Sequence, residues 1–101
     1  MAPYQSEAAR RLYRAILLLE NEDECAAFLE DLCTITEIQD MAQRLEAAML
    51  LRRGLNYQTI SRRIGISSAT ISRVSRCIRY GAGGYRTVTQ RLADREAEDE
   101  L

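Results

Sequence analysis

Two kinds of side chain with usable chemistry gather in one stretch of this chain. Residues 52–79 hold seven arginines (52, 53, 62, 63, 73, 76 and 79) and no acid, a local charge of +7. Short hydroxyls run among them at Ser67, Ser68, Thr70 and Ser72. A guanidinium fork matches phosphate geometry, and a short hydroxyl can meet a base edge directly or through water. The chemistry that fits is recognition of double-stranded DNA. Arg62, Arg63, Arg73, Arg76 and Arg79 are the candidate phosphate contacts, and Ser68, Ala69 and Ser72 the candidates for base edges. Gln58 suits either role, and Ser67 and Thr70 belong to the turn that starts the second helix. Other chemistry has little to work with. The chain contains no histidine, and its three cysteines (25, 33, 77) have no metal-ligand or CxxC spacing. No nucleophile elbow or phosphate loop occurs, so neither catalytic residues, a metal nor a cofactor is expected.

Such residues must be held by a rigid frame, and the spacing supplies one. Ile60 and Ile64 lie one turn apart and share the inner face of a first short helix. Ser61 is small enough for two helices to cross there. Gly65 falls where a helix end wants a left-handed residue. Ile66 plugs the turn, and Ser67 can cap the next helix. Ile71, Val74 and Ile78 then recur at helical period and face inward, leaving Ser68, Ala69, Ser72, Arg73, Arg76 and Arg79 outside. This is the pattern of a helix-turn-helix.

The wider chain is polarised around that element. Residues 1–40 carry nine acids against three arginines, and residues 96–101 carry four acids, so a net charge of −1 conceals a focused basic patch. Focused charge suits a local DNA contact rather than a general coat on nucleic acid. At 101 residues the chain is read as one helical domain, small enough to be marginal alone. No apolar run approaches the ~20 residues of a membrane span. Charged Glu7, Arg10 and Arg11 precede any apolar stretch, so a cytoplasmic location without membrane contact is expected.

Helical period predicts about six helices and no sheet. Residues 5–20 place Leu12, Ile16 and Leu19 on one face, with Tyr13 and Leu17 beside it. Asn21 to Asp23 can cap a second helix over about 24–33. Thr34 and Glu37 form a capping-box pair opening a third. That helix runs to Arg53, with Ile38, Met41, Ala42, Leu45, Ala48 and Met49 as its inner face, and stops at Gly54. The helix-turn-helix occupies residues 54–80. Gly81 to Gly84 is a flexible break, a last helix covers 85–97 with Tyr85, Val88 and Leu92, and residues 96–101 are an acidic, fraying tail. The apolar faces within 5–53 are wide for so short a chain, which assigns those helices to homodimer formation.

The strings Asp31-Leu-Cys-Thr-Ile-Thr-Glu-Ile-Gln-Asp-Met-Ala-Gln-Arg-Leu-Glu46 and Gly65-Ile-Ser-Ser-Ala-Thr-Ile-Ser-Arg73 resemble the Trp repressor superfamily, closest to its YerC/YecD-type branch. The likeness covers about residues 10–92. It implies an all-α, intertwined homodimer that represses transcription through its helix-turn-helix. It also makes Thr34, Arg44 and Arg73 candidates for binding a small-molecule effector. The family's tryptophan pocket is carried over only in part. Val74 stands where the indole needs room, Cys77 replaces a serine, and Asp31 replaces an aliphatic residue. A filled pocket with a carboxylate beside it disfavours tryptophan. Arg44 and Arg73 are then expected to serve ion pairing and phosphate contact, and another small effector is the remaining ligand. The alternative function is a helical adaptor that docks an acidic protein through its arginine-rich face.

Overall fold

The computed structural model describes residues 2–100, which form six α-helices and no strand among the described residues. They are α1 (Glu7–Leu17), α2 (Glu22–Leu32), α3 (Ile35–Arg52), α4 (Tyr57–Ile64), α5 (Ser68–Tyr80) and α6 (Gly84–Asp99), with a single 3-10 turn at Pro3–Gln5 before them. The chain divides into two compact units, one ending at Ile38 and the other starting at Gln39. No helix is long and apolar enough to cross a membrane.

In the first unit the helix ends are set by side chains. Ser6 caps α1 by accepting from the Ala9 N–H at 3.1 Å. The helix ends at Leu17 rather than near residue 20, because the chain tightens there. The N–H groups of Leu18 and Leu19 bond to Ala15 O and Ile16 O, and Glu20 N–H bonds to Glu24 Oε1. Asn21 then caps α2 by accepting from Glu24 N–H at 2.8 Å, which starts that helix two residues earlier than the apolar pattern indicates. The capping box before α3 forms in both directions. Thr34 N–H donates to Glu37 Oε1 at 2.8 Å, and Glu37 N–H donates to Thr34 Oγ1 at 3.1 Å. The bond from the Thr34 backbone, then that with its side chain, holds the Glu37 carboxyl below the usual carboxylate range. No residue of α1 or α2 is buried. Leu17, Leu18 and Ile35 are 82%, 78% and 74% exposed, an apolar surface the isolated chain does not cover.

The second unit holds the core. Ala47, Leu50, Ile60 and Ile71 form a buried cluster, with Leu51, Leu55, Ile64 and Ile66 packed against it. Val74 is also buried, and full burial of such aliphatic side chains contributes about 1.5–3 kcal/mol each. The inner face of α3 differs here from the expected one. Ala48 is buried as expected, but Ala47 and Leu50 join it while Met41 and Ala42 stay exposed. The apolar arc on α3 is wide, and α4 and α5 pack against only part of it.

Helix α6 also departs from expectation. Gly84 is its first residue, so the glycine break is shorter than expected. Its far end continues to Asp99, taking in most of the acidic stretch that was expected to fray. Arg95 before those acids and Ala97 among them are strong helix formers and sustain the helix. Leu101, the end of the expected tail, lies outside the described residues.

Candidate nucleic-acid interface

Helices α4 and α5 and the turn between them are set by four local devices. Asn56 caps α4, its Oδ1 accepting from Thr59 N–H at 2.9 Å. Gly65 closes α4 in the left-handed conformation, φ 77° and ψ 28°, and its N–H bonds to Ser61 O at 2.8 Å. A Cβ added there would meet nothing within 4 Å. Glycine is therefore selected by backbone conformation and not by lack of room. Ser61 does more than allow close approach, since its hydroxyl donates to Ile66 O at 2.7 Å and ties the turn back to α4. Ser67 caps α5, its Oγ accepting from Thr70 N–H at 3.2 Å with the Thr70 hydroxyl 3.0 Å away.

With Ile60 and Ile71 fully buried and Val74 nearly so, helical geometry fixes what remains outside. Ser68, Ala69, Ser72, Arg73, Arg76 and Arg79 are all exposed on α5, and Gln58, Arg62 and Arg63 are exposed on α4. Ser67 is exposed and Thr70 half-buried, and the hydroxyls of both are engaged in the cap. A cleft of about 330 Å³ brings Gln58, Ser61 and Arg62 of α4 against Ser68 of α5. Short side chains lie at the start of α5 and guanidiniums further along it. An extended anion laid across α4 and α5 would meet charge at the flanks and small polar groups between.

Two of the three effector candidates belong to the second unit. Arg44 and Arg73 line one cleft of about 370 Å³ together with Asp40, Gln43, Ser67 and Thr70. Thr34 lies in the first unit, where its hydroxyl is engaged in the capping box. Val74 is 2% exposed and part of the packed interior. The three cysteines are free thiols. Among the described residues no group of acids and cysteines is arranged to hold a metal ion.

Sequence reasoning assigned no role to Arg86. Its Nε donates to Ile78 O at 2.9 Å, and a terminal nitrogen reaches Arg79 O at 3.5 Å. A cation on the last carbonyls of α5 satisfies acceptors that the helix cannot pair and opposes the negative end of its dipole. Gly81 sits at the same end, where an added Cβ would come within 2.4 Å of Cys77 O. Arginine eight residues past a helix-end carbonyl, across a glycine turn, has no local sequence signature. Asn56 could have been found, because an asparagine directly before a helical run is a cap signal.

Comparison with known proteins agrees with this geometry. The Trp repressor protein family model matches residues 7–93. The chain is 48% identical over 88 residues to YerC of Bacillus subtilis (strain 168), an uncharacterized protein, covering 87% of this chain and 85% of that one. The crystal structure of a TrpR-like protein from Eubacterium eligens superposes with a TM-score of 0.85 at 44% identity, covering 89% of this chain and 93% of that one. A candidate Trp repressor from Staphylococcus aureus gives a TM-score of 0.85 at 40% identity, covering 92% and 96%. A family match over most of the chain, joined to six helices and a glycine-closed turn, leads to one conclusion: this chain belongs to the Trp repressor family.

Proposed function

We propose that this protein is a sequence-specific DNA-binding regulator of transcription, a repressor, that acts as a homodimer in the cytoplasm. The observation that carries the reading is the outer side of α5. Its packed face is fully used, while Ser68, Ala69, Ser72, Arg73 and Arg76 stand together in solvent. On DNA, Arg62, Arg63, Arg73, Arg76 and Arg79 contact phosphates and fix register. Ser68, Ala69 and Ser72 face base edges, Gln58 reaches either, and Ser67 and Thr70 hold the helix start. Dimer formation is supported by the uncovered apolar side chains of α1 and α2. The residues up to Arg53 form the dimer, as an intertwined pair in the manner of the family, and residues 54–80 form the reading element. Two-fold pairing would present half-sites about 34 Å apart.

Arg44 and Arg73 share a cleft that suits a small effector, and Val74, packed where an indole would need room, disfavours tryptophan as that effector. Selection of bound duplexes from a random pool, with the stoichiometry of the retained complex measured in parallel, tests the function. Enrichment of a palindrome bound by two chains is expected. Loss of all retention at moderate salt would favour an adaptor for acidic proteins instead.

A further inference from the structure

The second unit holds another crevice that shares no residue with the Arg44–Arg73 cleft and only Arg79 with the DNA reading. It has a volume of about 400 Å³ and lies among the end of α3, the α3–α4 turn, the C-terminal half of α5 and the start of α6. Its apolar wall is Ala48, Leu51, Leu55 and Ile78. Its polar groups are Arg52, Arg79 and Arg86, with Tyr57 and the buried Ser75 and Thr89. No acid lines it.

We propose that this crevice is a binding site for a small organic carboxylate with an apolar body. The size falls within the ~300–1,000 Å³ of small-molecule sites, and an apolar wall with a few converging polar groups is their usual form. The charge is in excess of what the fold needs. Helices α3 and α5 both end beside the crevice, and each C-terminus brings about half a negative charge. The start of α4 at Tyr57 returns about half a positive one. Three guanidiniums therefore leave about two and a half positive charges facing the space. Asp94 lies one side chain further back, taking its bond from Gln90 Nε2 at 2.9 Å while Gln90 Oε1 accepts from Arg52. One carboxylate at that remove does not reverse the sign.

Donors remain as well. Arg86 uses its Nε and one terminal N–H on Ile78 O and Arg79 O, and Arg52 uses one terminal nitrogen on Gln90. A guanidinium carries five N–H groups in a planar fork that fits a carboxylate in two-point fashion. Ala48, Leu51 and Ile78 are placed to cover the apolar body. The site goes beyond the DNA reading and does not depend on it.

The test is a titration of the full-length ¹⁵N-labelled protein, without DNA, followed by amide shifts. The probes are phenylacetate, its neutral counterpart 2-phenylethanol, and inorganic phosphate. Saturable shifts centred on Ala48, Leu51, Ser75 and Thr89 are expected with phenylacetate, and none with the alcohol. Arg52→Gln and Arg79→Gln, both at exposed positions, should each weaken the binding about tenfold or more. Equal or tighter saturation by phosphate at the same residues would mean that charge alone is read, and would overturn the assignment. So would shifts confined to the Arg44–Arg73 cleft. A flat phenylacetate titration would sink the proposal while leaving the DNA reading intact, and loss of DNA retention in Arg52→Gln would then add that arginine to the phosphate contacts.

Discussion

Replacing Gly65 by alanine separates the conformational role of this residue from any steric one. The residue sits at φ 77°, and a Cβ there meets nothing within 4 Å, so overlap with other atoms contributes nothing. What remains is the left-handed backbone, which costs an L-residue about 1–2 kcal/mol. Alanine also restricts the unfolded chain and recovers about 0.4–1 kcal/mol. The net loss is then about 1 kcal/mol. With a urea slope of about 1–3 kcal/mol per molar, the unfolding midpoint should fall by about 0.3–1 M. The melting temperature should fall by about 4–8 °C for a domain near this size. Both must be read at one protein concentration, since self-association shifts apparent stability. Gly65→Asn provides the control, because asparagine visits the left-handed region more readily and should lose less. An alanine variant with an unchanged midpoint, or an asparagine variant worse than alanine, would refute the assignment.

Four further outcomes are expected. Arg76→Ala should weaken retention of every duplex and lower the slope of log affinity against log salt by about one, whereas Ser72→Ala should change preference at one base step more than total affinity; competition gel shifts at several salt concentrations check both. Arg86→Met removes the donors to Ile78 O and Arg79 O while keeping most of the side-chain bulk. Amides in the last turn of α5 should then exchange faster with solvent than those near Ile71, and uniform exchange rates would contradict the clamp. Glu37 is held below its ordinary value by its bonds with Thr34. Its contribution is thus fully present above the unfolded carboxylate range and is lost as pH falls through the lowered folded value. Protection of the Thr34 amide should follow that acid transition, and Glu37→Gln should remove the pH dependence.

Much of the helix-turn-helix, and of the start of α3, was legible because the determinants are local. Gly65, Ser67 and the Thr34–Glu37 box act within three or four residues of themselves, and Ile60, Ile71 and Val74 follow a strict period. The same reasoning missed Ala47 and Leu50, since a broad apolar arc on α3 does not say which part its neighbours will meet. It ended α1 too late, because the Glu20–Glu24 bond that breaks the run competes with a favourable apolar pattern. Arg86 was invisible for a different reason. Its partners are backbone carbonyls, which every residue has, so side-chain identity at Ile78 and Arg79 carries no clue.

The division of labour around the α4–α5 turn has an evolutionary consequence. The groups that secure it, Ile60, Ser61, Gly65, Ile66, Ile71 and Val74, do not overlap with Ser68, Ala69, Ser72, Arg73 and Arg76 on the outer side. Exchange at exposed positions of this kind usually alters folding by no more than about 0.5 kcal/mol. Under the proposed DNA reading, descendants of this chain can drift toward new targets by altering a few of these solvent-facing letters, while the hinge beneath them is inherited unchanged.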